Sequence, residues 1–206
     1  MDIITRITRQ RGKMQIAISE QETIVVPLSL FRARPLTEGQ PINLEEYDNW
    51  LMVRQYRHAL DRAVACLAAR AHSKHEIEQK LLRVGYRPCT VEMVLYKLER
   101  EHLLNDADFA RQWVEARSGR KLGRSRIAQE LRRKGIDADE AEEALSAIGE
   151  DAQLADAIAL AEKAAARAKS DENPRKTYQR IAAMLARRGF RWDIAKEALA
   201  QVLQAD

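Results

Sequence analysis

The sequence predicts a mainly α-helical protein: three tandem three-helix repeats in an elongated or curved array, preceded by a small N-terminal β-meander. Three observations predict this. Apolar residues alternate with a period of two only within the first thirty positions, and from about residue 55 their period becomes helical. The helical part also superimposes on itself when aligned on Gly85, Gly135 and Gly189. The resulting boundaries are 1–54 for the meander with a helix, then 55–104, 105–150 and 151–206 for the repeats.

In the N-terminal region Ile3, Thr5 and Ile7, then Met14, Ile16 and Ile18, alternate as strands do. Arg11-Gly12-Lys13 and Glu20-Gln21-Glu22 separate these runs from each other and from Thr23 to Val26, which Pro27 closes, so a three-stranded meander is expected. So small a sheet needs a cover. Asn43, with Glu46 three residues on and Tyr47, Trp50 and Leu51 behind it, reads as the capped start of the helix that provides one.

The repeats follow the glycines. Twelve positions before each stand Ser73, Gly123 and Thr177, expected N-caps, with Glu76 completing a capping box on Ser73. The pairs Ile77 and Leu81, Ile127 and Leu131, and Ile181 and Leu185 each fall on one helical face, which predicts buried helices of about eleven residues. Glycine fits the left-handed C′ position that ends them, since it lacks the Cβ that opposes positive φ. Apolar Tyr86, Ile136 and Phe190 come next, and Cys89, Asp139 and Asp193 are expected to precede another helix. The core face of that helix is Val91, Leu95 and Leu98, then Ala141, Leu145 and Ile148, then Ala195, Leu199 and Val202. A further helix leads each pair, marked by Ala63, Val64 and Leu67, by Phe109, Trp113 and Val114, and by the alanine-rich run Ala155 to Ala168.

Composition bounds the function. Of 206 residues, 46% are hydrophobic and 32% charged, with eight Gly and five Pro, which suits an ordered helical protein. Cys66 and Cys89 form no CxxC pattern, so neither a disulfide framework nor a zinc site is indicated and a reducing cytoplasm fits. No apolar stretch approaches a membrane span, and we expect a soluble, untargeted monomer without a cofactor or metal. Phosphate-binding loops, dinucleotide fingerprints and nucleophile elbows are absent from the sequence.

Net charge is only +4, but residues 117–135 hold Arg117, Arg120, Lys121, Arg124, Arg126, Arg132, Arg133 and Lys134 against Glu130 alone. Such a field attracts phosphates or an acidic protein surface. Arg83, Arg133, Lys134, Arg187 and Arg188 also have a local explanation, since cations complement helix C-termini. Arg120, Lys121, Arg124 and Arg126 precede or open a helix, where the dipole disfavours them, so they are the stronger functional candidates. Reversing these four charges is expected to weaken partner binding and leave helicity nearly unchanged. Asn105, Asp106 and Asp108 raise the alternative of a metal-dependent nuclease, yet capping of the next helix explains them, and His72 and His75 lack a third ligand.

Ser73-x-x-Glu76-Ile77-x-x-Lys80-Leu81-x-x-x-Gly85-Tyr86, followed by Leu104-Asn105-Asp106-x-x-Phe109-Ala110, resembles the RecX family. Gly123-x-x-x-Ile127-x-x-Glu130-Leu131-x-x-Lys134-Gly135-Ile136 is similar to that family's middle repeat, and Ile181, Leu185, Gly189 and Phe190 keep the skeleton of the third. One departure is His102-Leu103, where the family's usual Gly-Tyr precedes Leu-Asn-Asp. The resemblance implies a non-enzymatic regulator in DNA recombination, repair and the SOS response. Its partner would be the RecA filament on single-stranded DNA, whose ATPase and strand exchange it would lower. The alternative is a stand-alone DNA-binding protein whose helices of the Ser73 to Val84 type act as recognition helices. Whether the basic residues meet DNA or RecA, and whether the N-terminal sheet is structural or a further contact, stays open at this level.

Overall fold

A computed structural model describes residues 2–19, 22–167 and 173–203. The chain forms two compact units, residues 1–105 and 106–206.

In the first unit β1 (Asp2–Gln10), β2 (Lys13–Ile18) and β3 (Glu22–Pro27) form the expected antiparallel meander. The turn expected at Glu20-Gln21 lies outside the described residues. Two elements were not foreseen: the short helix α1 (Leu28–Ala33), and β4 (Pro41–Ile42), which pairs with Asp2 and Ile3 to give the order β3-β2-β1-β4. The alternation of β1 also needs correction. A bulge between Ile4 and Arg6 inserts one residue, so Ile4 pairs with Ile18 and Ile7 with Ile16, on one face, while Ile3 is 51% exposed. A strict period of two had put Ile3 with Ile7.

Asn43 caps α2 (Leu44–Ala69) by accepting from the Glu46 N–H at 3.2 Å. Tyr47 and Leu51 join Ile4, Met14, Ile16, Ile18, Ile24 and Val26 in one core, so the helix covers the sheet as expected. Burial raises the Tyr47 pKa to about 12, and Arg34, 5.5 Å from the ring centroid, works against it. The helix runs unbroken to Ala69 and becomes the leading helix of the first repeat, because no Pro or Gly interrupts it. The sequence predicts two helices here, one capped by Asn43 and one marked by Ala63, Val64 and Leu67, where the structure has a single one. Sheet and first repeat therefore share a single core, which extends through Ile77, Leu81, Val91, Leu95 and Leu98.

Helices α3 (Lys74–Val84) and α4 (Pro88–Arg100) complete that repeat. The capping box of Ser73 and Glu76 is formed, and Gly85, at φ 100°, ends α3. The Tyr86 N–H reaches the Leu81 carbonyl at 3.4 Å and the Gly85 N–H that of Leu82 at 3.0 Å, the paired bonds of a Schellman ending. His102 ends α4 in the same way: its φ is 56°, and the Leu103 N–H bonds to Leu98 at 2.9 Å. The histidine thus performs the glycine's role at a strain of roughly 1–2 kcal/mol for an L-residue. His102→Gly is expected to stabilise the protein by about 0.5–1 kcal/mol, the relief being partly offset by glycine's freer unfolded chain. A rise in thermal midpoint by circular dichroism checks it, and a fall would count against this geometry.

The second unit holds α5 (Asp106–Ser118), α6 (Arg124–Arg133), α7 (Ala138–Ser146), α8 (Glu150–Ala165), α9 (Pro174–Arg188) and α10 (Trp192–Leu203). Each three-helix set has its own core, one around Phe109, Ile127, Leu131 and Leu145, the other around Ala157, Ile181, Leu185 and Leu199. Several expected boundaries shift. Thr177 is a buried residue inside α9, which is capped by Asn173 through the Arg175 N–H at 2.9 Å, so this helix has fifteen residues rather than eleven. Pro174 at the first helical position moves the start upstream, as its fixed φ favours. Cys89, Asp139 and Asp193 lie within the first turns of α4, α7 and α10 rather than before them. Ala168, at the end of the alanine-rich run, lies outside the described residues.

Candidate partner-binding surface

The basic segment 117–135 spans the end of α5, a turn and all of α6. Ile127 and Leu131 are fully buried, which turns Ser125, Gln129, Arg132 and Arg133 outward. One carboxylate organises much of the remaining charge. Glu130 accepts from Arg117 Nε at 2.7 Å and from the Trp113 indole at 3.1 Å, and Arg126 Nε stands 3.5 Å away. The Arg117 guanidinium and the Lys134 ammonium lie 4.0 and 4.1 Å from the centroid of the Trp113 ring. Trp113 itself stacks on Phe109. Arg117 and Lys134 therefore clothe an aromatic pair by cation–π contact.

Three of the four cations that had no local explanation in the sequence have one in the fold. Lys121 pairs with Asp156 at 3.1 Å, Arg124 with Glu142, and Arg126 with Glu130. Their acids lie 35, 18 and 4 residues away in sequence, so only the last spacing was legible. Arg120 is exposed, and its carbonyl accepts from Arg188 at 3.2 Å. Arg188 also reaches the Lys121 carbonyl at 3.4 Å, which binds the end of α9 to the turn before α6.

That contact belongs to a tight joint. The Gly123 N–H donates to the Arg188 carbonyl at 2.9 Å and the Ser125 N–H to the Gly189 carbonyl at 3.2 Å. The unsatisfied carbonyls ending α9 thus meet the unsatisfied N–H groups opening α6, negative dipole end to positive. Gln153 of α8 closes the joint, accepting from the Arg124 N–H at 3.0 Å. A Cβ on Gly123 would lie 2.2 Å from Gly189 backbone atoms, so the glycine that the sequence reading took for a mere N-cap is there for close approach.

Arg83, Arg132, Arg133 and Arg187 are exposed in the last turns of α3, α6 and α9. Sequence reading missed the charge of α9 as a whole: Arg175, Lys176, Arg180, Arg187 and Arg188, with no acid between Pro174 and Arg188. Charge thus segregates by helix. After α6 the sign reverses, since α7 carries Asp139, Glu140, Glu142 and Glu143 with no cation. Its Glu140 has a raised pKa, first from burial and then from the nearby Asp106 and Asp137 carboxylates. Among the described residues no three His, Cys, Asp or Glu side chains converge to hold a cation, and none of the helices is long and apolar enough to cross a membrane. His72 is buried with Nδ1 3.0 Å from the Arg70 carbonyl, and His75 lies 3.5 Å from Glu78, so both are engaged locally.

The first, second and third three-helix domains of RecX match residues 59–98, 105–145 and 151–199. Over 210 aligned residues the chain is 30% identical to the regulatory protein RecX of Clostridioides difficile, covering 100% of this chain and 98% of that one. The chain belongs to the RecX family. The regulatory protein RecX of Mycobacteroides abscessus is 38% identical over 65% of this chain and 68% of its own. A crystal structure of RecX from Lactobacillus salivarius covers 73% of this chain and 97% of its own, at 26% identity and a TM-score of 0.67. A second RecX crystal structure covers all of both chains with a TM-score of 0.67, and at 22% identity it shows the shared fold alone. RecX domains thus account for α3 to α10 and the end of α2, and leave the sheet outside them.

Proposed function

We propose that this protein binds the filament formed by RecA on single-stranded DNA and lowers its ATPase and strand-exchange activities by binding, with no catalysis of its own. Membership of a family of regulatory proteins supports regulation, and the segregation of charge between successive helices supports a protein filament as the target. In a helix-turn-helix the second helix enters the major groove. Here α7 holds that place in the second repeat and presents four carboxylates, which phosphates would repel, while the bases lie on α6 and α9. A surface of alternating sign suits a nucleoprotein with both acidic and basic faces. It disfavours a stand-alone reader that places α7 on DNA, while one that uses the basic helices α6 and α9, which are of the Ser73 to Val84 type, is decided by DNA binding without RecA.

The test is addition of the full chain to preformed RecA filaments while following ATP hydrolysis and filament length. A dose-dependent fall in hydrolysis at or below equimolar protein is expected. No change in either quantity would refute the reading, and tight sequence-selective DNA binding without RecA would support the stand-alone reader instead.

A further inference from the structure

From Ile3 to Ser19 the chain holds Arg6, Arg9, Arg11 and Lys13 and no Asp or Glu. The three arginines are exposed on β1 and the turn after it, and the Lys13 stem packs against Gly85. Among the described residues none of the four has an acidic side chain within ion-pair distance, unlike Lys121, Arg124 and Arg126. The turn adds an independent observation. Gln10 pairs with Lys13, and the two residues between them, Arg11 at φ 30° and Gly12 at φ 91°, are both left-handed. That is the geometry that prefers Asn-Gly, and an arginine there costs on the order of 1 kcal/mol. Local structure thus gives no reason for Arg11, whereas a charge held at the hairpin tip does.

What surrounds these charges selects the partner. Between Thr5 and Gly12 the apolar residue is Ile7, half-buried against the core, and the exposed Ile3 lies at the far end of β1, so the tip half of the hairpin offers no aromatic or aliphatic anchor of the kind that protein interfaces and membrane surfaces need. Thr8 and Gln10 stand exposed between the arginines, and hydroxyl and amide groups are, with Arg and Lys, the usual donors to phosphate oxygens. We propose that the β1–β2 hairpin is a nucleic-acid backbone contact in which Arg6, Arg9, Arg11 and Lys13 meet neighbouring phosphates of a DNA strand. The hairpin lies outside the matched RecX domains, and the proposal does not rest on the RecA reading.

The test uses the full chain without RecA, fluorescent single-stranded and duplex oligonucleotides, and a range of NaCl concentrations. With three phosphate contacts removed, R6Q/R9Q/R11Q is expected to bind single strands at least about tenfold more weakly at low salt, with a log–log salt slope shallower by about 2. R11N keeps the fold testable: it is expected to raise the thermal midpoint, because asparagine suits the turn, and yet to weaken DNA binding by about threefold as one phosphate contact goes. The same losses on duplex support the same phosphate chemistry. Unchanged affinity and salt slope in either variant would overturn the proposal, and so would an equal loss of binding to poly-glutamate, which would point to an acidic protein instead.

Discussion

Gly189→Ala should destabilise the second unit by on the order of 4 kcal/mol or more, enough to unfold it near physiological temperature. Two effects add. At φ 87° an alanine is strained by roughly 1–2 kcal/mol. The new Cβ would also lie 2.3 Å from Arg126 Cβ and 2.4 Å from its backbone nitrogen, so the joint between α6 and α9 must open. Opening it exposes the Arg188 and Gly189 carbonyls and the Gly123 and Ser125 N–H groups that now satisfy each other. Gly39→Ala separates the two effects. Gly39 has φ 84° with nothing within 4 Å of the added Cβ, so only the strain of about 1–2 kcal/mol is expected. Thermal unfolding followed by circular dichroism measures both. Equal losses in the two variants would show that the joint carries no weight.

Neutralising Arg132, Arg133 and Arg187 together should weaken binding to RecA filaments by about tenfold or more at low salt, with stability lowered by no more than about 1 kcal/mol. Their heads are exposed at helix ends, and among the described residues Arg133 Nε contacts only the Gln129 carbonyl of its own helix. Neutralising Lys121, Arg124 and Arg126 should give the opposite pattern, a stability loss of about 1–2 kcal/mol from three ion pairs and a smaller change in binding. The ion pairs also revise what charge reversal at Arg120, Lys121, Arg124 and Arg126 would do. New carboxylates would face Asp156, Glu142 and Glu130, so folding would suffer along with binding. Filament co-sedimentation over a salt series, read beside the unfolding curves, distinguishes the sets. Wild-type binding by the Arg132, Arg133 and Arg187 variant would remove α6 and α9 from the contact.

The sequence was most informative where one residue type has one structural use. The three glycines, the capping box at Ser73 and Glu76, and the i, i+4 pairs from Ile77 to Leu185 predicted helix ends and buried faces, because local sterics and a 3.6-residue period decide them. It was less informative where two local signals compete. Thr177 is a plausible cap, but Asn173-Pro174 is a stronger start with its cap four residues upstream, and His102 takes a left-handed turn that composition assigns to glycine. The bulge at Ile4 and the pairing of β4 depend on partners distant in the chain, which no periodicity reveals.

By itself, then, the sequence determined three helical repeats, their cores and a basic second repeat, since burial patterns and charge counts are properties of short windows. Only the tertiary structure decided which charges are spent. Lys121 and Arg124 meet Asp156 and Glu142 across helices, while the cations of the β1–β2 hairpin find no such partner among the described residues. The physical reason is range: Coulomb attraction acts over a few ångströms in space, and folding alone sets which distant residues come that close.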